Sequence, residues 1–124
     1  MVTLIIVSVL LSITALGTVV SANAGIIPGY GNAQFRAPDK GYLIGWVVDY
    51  NLQNLAPRHD YRMDYKIPNE RRPVHITTIV ADRTGHASRS VKLRENRDLL
   101  RAVKNFEAGQ GQFVLQRGRL HPRD

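Results

Sequence analysis

The chain has 124 residues, 17 Lys and Arg against 10 Asp and Glu, a formal net charge of +7 and no cysteine. That length supports one domain with one modest core. The missing thiols exclude disulfide-stapled scaffolds, zinc ribbons and thiol catalysis.

No charged side chain occurs from Met1 through Phe35; the first is Arg36. Leu4 to Val7 and Val9 to Leu11 open an apolar run that continues, diluted by Ser8, Ser12, Thr14 and Gly17, to Val20. The dilution disfavours a permanent membrane span, which needs about 20 mostly apolar residues. The run ends in Ser21-Ala22-Asn23-Ala24, a small-x-small pattern of the kind signal peptidase accepts. Residues 1–24 are therefore expected to be a signal peptide cut after Ala24, with Ala22 as the alternative position. Met1-Val2-Thr3 lacks the usual Lys or Arg, and an uncleaved signal anchor is the competing reading. Cleavage implies a secreted, extracellular protein with no remaining membrane anchor.

Residues 25–41 carry Pro28, Gly29, Gly31, Pro38 and Gly41, and read as an irregular lead-in. A β-rich domain is expected over residues 42–118. Tyr42 to Tyr50 is rich in β-branched and aromatic residues and reads as a strand, with Gly45 as a bulge. Tyr61, Met63, Tyr65 and Ile67 alternate with Arg62, Asp64 and Lys66, the period of a half-buried strand. Pro68 and Pro73 bracket a loop, and Val74 to Ala81 reads as a further strand. Asp82-Arg83-Thr84-Gly85 is a tight turn with Gly where positive φ is tolerated. His86 to Leu93 alternates more weakly.

Leu99, Leu100, Val103 and Phe106 have helical spacing, yet residues 101–106 lead into Gly109-Gln110-Gly111 and the strand-like Gln112 to Gln116. Turn followed by strand favours a hairpin, so residues 101–106 are expected to be a strand preceded by a short helical turn. The fold class expected is all-β: a small antiparallel β-sandwich or barrel-like domain following the cleaved signal peptide.

The chemistry-bearing residues do not assemble into a catalytic pattern in the sequence. His59, His75, His86 and His121 lack metal-ligand spacing. Asp60 and Asp64 read as solvated charges, and the paired glycines do not match a phosphate-binding loop. No enzyme activity, metal or cofactor is expected. Thirteen of the basic residues are Arg, which pairs in planar fashion with carboxylate, sulfate or phosphate. The densest cationic run is the basic C-terminal stretch, residues 119–124 with Arg117 just before it. Arg117, Arg119, His121 and Arg123 are the candidate anion-binding residues.

Three segments carry a family resemblance. They are Ile76-Thr77-Thr78-Ile79-Val80-Ala81-Asp82 followed by Gly85, Ala102 to Phe106 with Gly109 and Gly111, and Phe113 to Gly118. Together they resemble the insect multiprotein bridging factor 2 and probable salivary secreted peptide family. The chain departs from that pattern at Arg117, where the family usually has Tyr, and in the extra residues from Arg119 onward. The resemblance implies a secreted β-rich protein, carries over no catalytic residue, and brings a transcriptional co-activator role through one member. The leading expectation is a small secreted non-enzymatic protein of salivary or body-fluid type that binds an unidentified extracellular protein. The alternative is a cationic binder of an anionic surface, antimicrobial or glycan-binding. Nucleic acid is not the expected ligand, because the basic run has no interleaved aromatics for base stacking.

Overall fold

The computed structural model describes residues 25–38 and 45–121. The expected signal peptide with its cleavage position after Ala24, the start of the strand expected from Tyr42, and Arg123 lie outside the described residues. The described residues are mostly β, as expected, with one helix among them. Strands β1 (Ile26–Ile27), β2 (Gly31–Arg36), β3 (Val47–Leu52), β4 (His59–Lys66), β5 (Val74–Val80) and β6 (Ala87–Lys92) precede helix α1 (Arg97–Glu107) and strand β7 (Gln112–Leu120). They form two antiparallel sheets, one ordered β1-β2-β3-β6 and one ordered β5-β4-β7.

The segment read as an irregular lead-in contributes two strands. Pro28 and Gly29 punctuate it only because they turn β1 into β2, where the Tyr30 N–H donates to Ile27 O at 2.9 Å. Beyond the turn, Ala33 and Phe35 point into the core while Asn32, Gln34 and Arg36 are exposed. That alternation is short and was masked by the flanking turn residues. Gly45 precedes β3 and makes no bulge in its ladder.

The ladder irregularities lie instead in the three-stranded sheet. Met63 pairs with Thr77 but Asp64 with His75, so β5 carries one extra residue there. On the other side of β4, Tyr61 pairs with Arg117 and His59 with Leu120, so the extra residue is on β7. Such insertions bend a strand and re-aim its side chains.

Residues 101–106 are helical, not a strand. Asn96 caps the helix through Oδ1, which accepts from the Leu99 N–H at 2.8 Å. Leu99, Ala102 and Val103 are buried along one face, and Asp98 and Lys104 lie at the ends that suit their charges. The C-terminal end explains the misleading glycine. Gly109 has φ +74°, its N–H donates to Phe106 O at 3.0 Å, and the Gln110 N–H donates to Asn105 O at 2.8 Å. These two bonds form a Schellman cap, so Gly109 closes a helix rather than a hairpin.

Both sheets and the helix contribute to one core. Val48, Leu52, Met63, Tyr65 and Ile79 are its largest fully buried side chains. Phe35, Tyr65, Phe106 and Phe113 form a mutual cluster, each ring pair having centroids between 5.0 and 6.3 Å apart. Edge-to-face contacts of this kind add to the burial of apolar area. The Tyr65 hydroxyl donates to Gln110 O, and burial pushes its pKa up to about 12. This bond ties β4 to the segment that ends the helix.

Candidate anion-binding site

A cationic convergence lies where two connections meet the end of β7. Arg58 ends the β3–β4 connection, Arg83 sits in the β5–β6 turn, and His121 follows β7. Arg58, Val80, Ala81, Asp82, Arg83 and His121 line one depression of about 250 Å³. Its backbone frame is continuous: the Arg58 N–H donates to Asp82 O at 3.1 Å, and the His121 N–H donates to Arg58 O at 2.7 Å. Arg58 thereby links the turn to the end of β7.

Two local features hold this frame. Arg58 has φ +63°, a left-handed conformation that a non-glycine residue rarely adopts and that costs on the order of 1–2 kcal/mol. Tertiary bonds on both sides of the residue maintain it. In the turn, Gly85 has φ +82°, and a Cβ built there would stand 2.5 Å from Leu55 O. The close approach lets the Leu55 N–H donate to Gly85 O at 3.0 Å, docking the turn on the β3–β4 connection.

The carboxylates around the depression are occupied. Asp82 accepts from the Thr84 N–H, the Thr84 hydroxyl and the His86 N–H. The His86 N–H, then the Thr84 donors, hold its pKa below the usual carboxylate range. Asp60 accepts from His121 Nδ1 at 2.9 Å. The lining thus presents two guanidinium groups and an imidazole against one carboxylate already bonded by three donors.

The candidate residues are distributed unevenly. His121 enters the depression. Arg117 and Arg119 are exposed on β7, an edge strand, and do not line it. Arg123 lies outside the described residues. Arg58 and Arg83 were not singled out from the sequence. Arg83 sits in a turn that is legible there, but the partner that makes it part of a site is 25 residues away in sequence, and nothing local marks Arg58 as left-handed.

The acidic residues divide in a way their spacing does not show. Asp60 is partly exposed, whereas Asp64 is only 5% exposed. It is therefore not the solvated charge expected: it accepts from Arg62 Nε at 3.1 Å and His75 Nδ1 at 3.0 Å. An ionised group at such depth needs partners of this kind. His75 itself remains exposed.

Asp82, Thr84 and His86 stand in sequence-local contact, with Thr84 Oγ1 2.8 Å from both Asp82 Oδ1 and His86 Nδ1. The hydroxyl has one proton, and Asp82, an acceptor only, takes it. Nδ1 of His86 then donates to Thr84 rather than accepting from it, which is the wrong polarity for a base activating that hydroxyl. Among the described residues, no group of three His, Asp or Glu is placed to hold a metal ion. No family model matches the sequence, and no curated protein or solved structure matches it either.

Proposed function

We propose that this is an exported, non-enzymatic binding protein that takes an anionic group of its partner at the Arg58–Arg83–His121 depression. The observation that carries the reading is the convergence of those three residues from two connections and the end of β7, where Arg58 is hydrogen-bonded through its backbone to Asp82, the neighbour of Arg83, and to His121. A basic surface alone needs no such frame. Guanidinium groups offer paired N–H donors to sulfate, phosphate or carboxylate oxygens. The net charge of +7 adds long-range attraction to an anionic surface. The uncharged leader ending in Ala24 and the family resemblance support export to a body fluid.

Heparin-affinity chromatography of the secreted protein tests the binding reading. Retention beyond physiological salt is expected, with an R58Q/R83Q variant eluting earlier than an R117Q/R119Q variant. Elution of the parent below physiological salt, or equal effects of the two pairs, would overturn the assignment. N-terminal sequencing of protein recovered from the medium should begin at Gly25; a start at Met1 would refute the leader.

A further inference from the structure

We infer that the outward face of the four-stranded sheet is a binding site for a neutral saccharide. Its geometry follows from register. Asn32 on β2 pairs with Asn51 on β3, which pairs with Ser88 on β6. Two residues along, Gln34 pairs with Asp49, which pairs with Ser90. Side chains two apart on a strand share a face, so these six form two parallel rows of three. Together with Tyr50 and Arg89 at the intervening positions, they line a depression of about 350 Å³, near the lower end of the range of about 300–1,000 Å³ for small-molecule sites. None of them lines the Arg58 depression.

Strand formation does not call for these residues. Asn and Asp are depleted in strands. Yet Asp49 and Asn51 occupy β3, which is flanked on both sides by other strands. On the opposite face of the same strand stand Val48, Tyr50 and Leu52, the apolar residues that the core requires. A solvated face is ordinarily filled by residues with higher strand propensity or by long charged ones. Here every position in the two rows is a short or medium polar side chain able to hydrogen-bond.

Their bonding state separates the rows. Asp49 accepts from Arg36 Nε at 2.9 Å, from Arg36 Nη2 at 3.1 Å and from the Ser90 hydroxyl. The Arg36 guanidinium, then Ser90 and Gln34, hold its pKa down at about 2. The carboxylate is thus ionised, fixed in place and charge-compensated. Among the described residues, the side chains of Asn32, Asn51 and Ser88 make no hydrogen bond to protein. One row is pre-organised and the other is open.

A ligand for this surface must both donate and accept along its length and carry no net charge. Two amides and a hydroxyl offer donors and acceptors alternately. Asp49 accepts from a hydroxyl, and because Arg36 offsets its charge the two rows offer no unmatched charge to an anion or a cation. Adjacent hydroxyls on a sugar ring meet those requirements. The rows lack an exposed aromatic ring for stacking, so affinity is expected in the range of about 1–10 mM for a disaccharide.

The test is ¹H–¹⁵N shift titration of the secreted protein with maltose, cellobiose, lactose and N,N′-diacetylchitobiose. At least one should give saturable shifts centred on β2, β3 and β6. An N51A/S88A variant removes two side chains that bond nothing in the protein, so its melting temperature should match the parent. Its affinity for the same sugar should fall at least about tenfold, equivalent to about 1.4 kcal/mol, while its retention on heparin stays unchanged. No saturable shift with any of the four sugars, shifts centred elsewhere, or undiminished affinity in the variant would each overturn the assignment.

Discussion

Replacing Gly85 by Ala tests the tertiary frame of the cationic site. Two costs combine at this position. Moving an alanine into the left-handed region at φ +82° costs about 1–2 kcal/mol. The new Cβ would also lie 2.5 Å from Leu55 O, so the turn must withdraw. Withdrawal weakens the bond from the Leu55 N–H to Gly85 O, worth about 1 kcal/mol. The stiffer unfolded chain returns about 0.4–1 kcal/mol. The expected net loss is about 2 kcal/mol, or a fall in Tm of roughly 8–15 °C for a domain of this size. Gly29 supplies the control, because it has φ +86° but no atom within 4 Å of a built Cβ. Gly29→Ala should therefore lose only the conformational part, about 1 kcal/mol net. Urea denaturation followed by circular dichroism measures both. Equal losses in the two variants would refute the argument from the Leu55 contact, and a loss below about 0.5 kcal/mol for Gly85→Ala would refute it altogether.

Two further predictions address the helix and the polar sheet face. Asn96→Ala removes the acceptor for the Leu99 N–H and should cost about 1 kcal/mol in urea unfolding; an unchanged midpoint would mean that the cap contributes nothing. Asp49 has a folded pKa of about 2 against an ordinary 3.8, so its stabilisation is present above about pH 4 and is lost as pH falls toward 2. Because its partner Arg36 is 52% exposed, solvent screening limits this to about 1 kcal/mol. Asp49→Asn should flatten that part of the stability–pH profile, and an identical acid profile in the variant would remove Asp49 as its source.

Alternation was legible wherever a strand was long enough to repeat it. Tyr61, Met63 and Tyr65 were placed inward by period alone, and the structure buries all three. The turn at Gly85 was equally plain, because only a residue without Cβ fits the left-handed backbone there. The helix failed for a specific reason. A glycine after an amphipathic run marks either a hairpin turn or a Schellman cap, and local sequence does not separate them. What decides is that Leu99, Ala102 and Val103 bury together only when helical, against the core shared by both sheets.

By itself, then, the sequence determined a cysteine-free basic chain, a mostly β composition and the inward or outward sense of its longer strands. Those properties depend on composition and on short-range periodicity. Tertiary structure decided which polar groups meet. Arg58 and Arg83 belong to one depression because backbone bonds join two connections distant along the chain. Asp64 is buried against His75 by a ladder with an inserted residue, while Asp60, four positions earlier, remains open to a different histidine. The rows of the polar face exist only through the register of β2, β3 and β6. Charge and hydrogen-bonding capacity are written in each residue, but their sites are made by pairings between strands and connections that sequence separates widely.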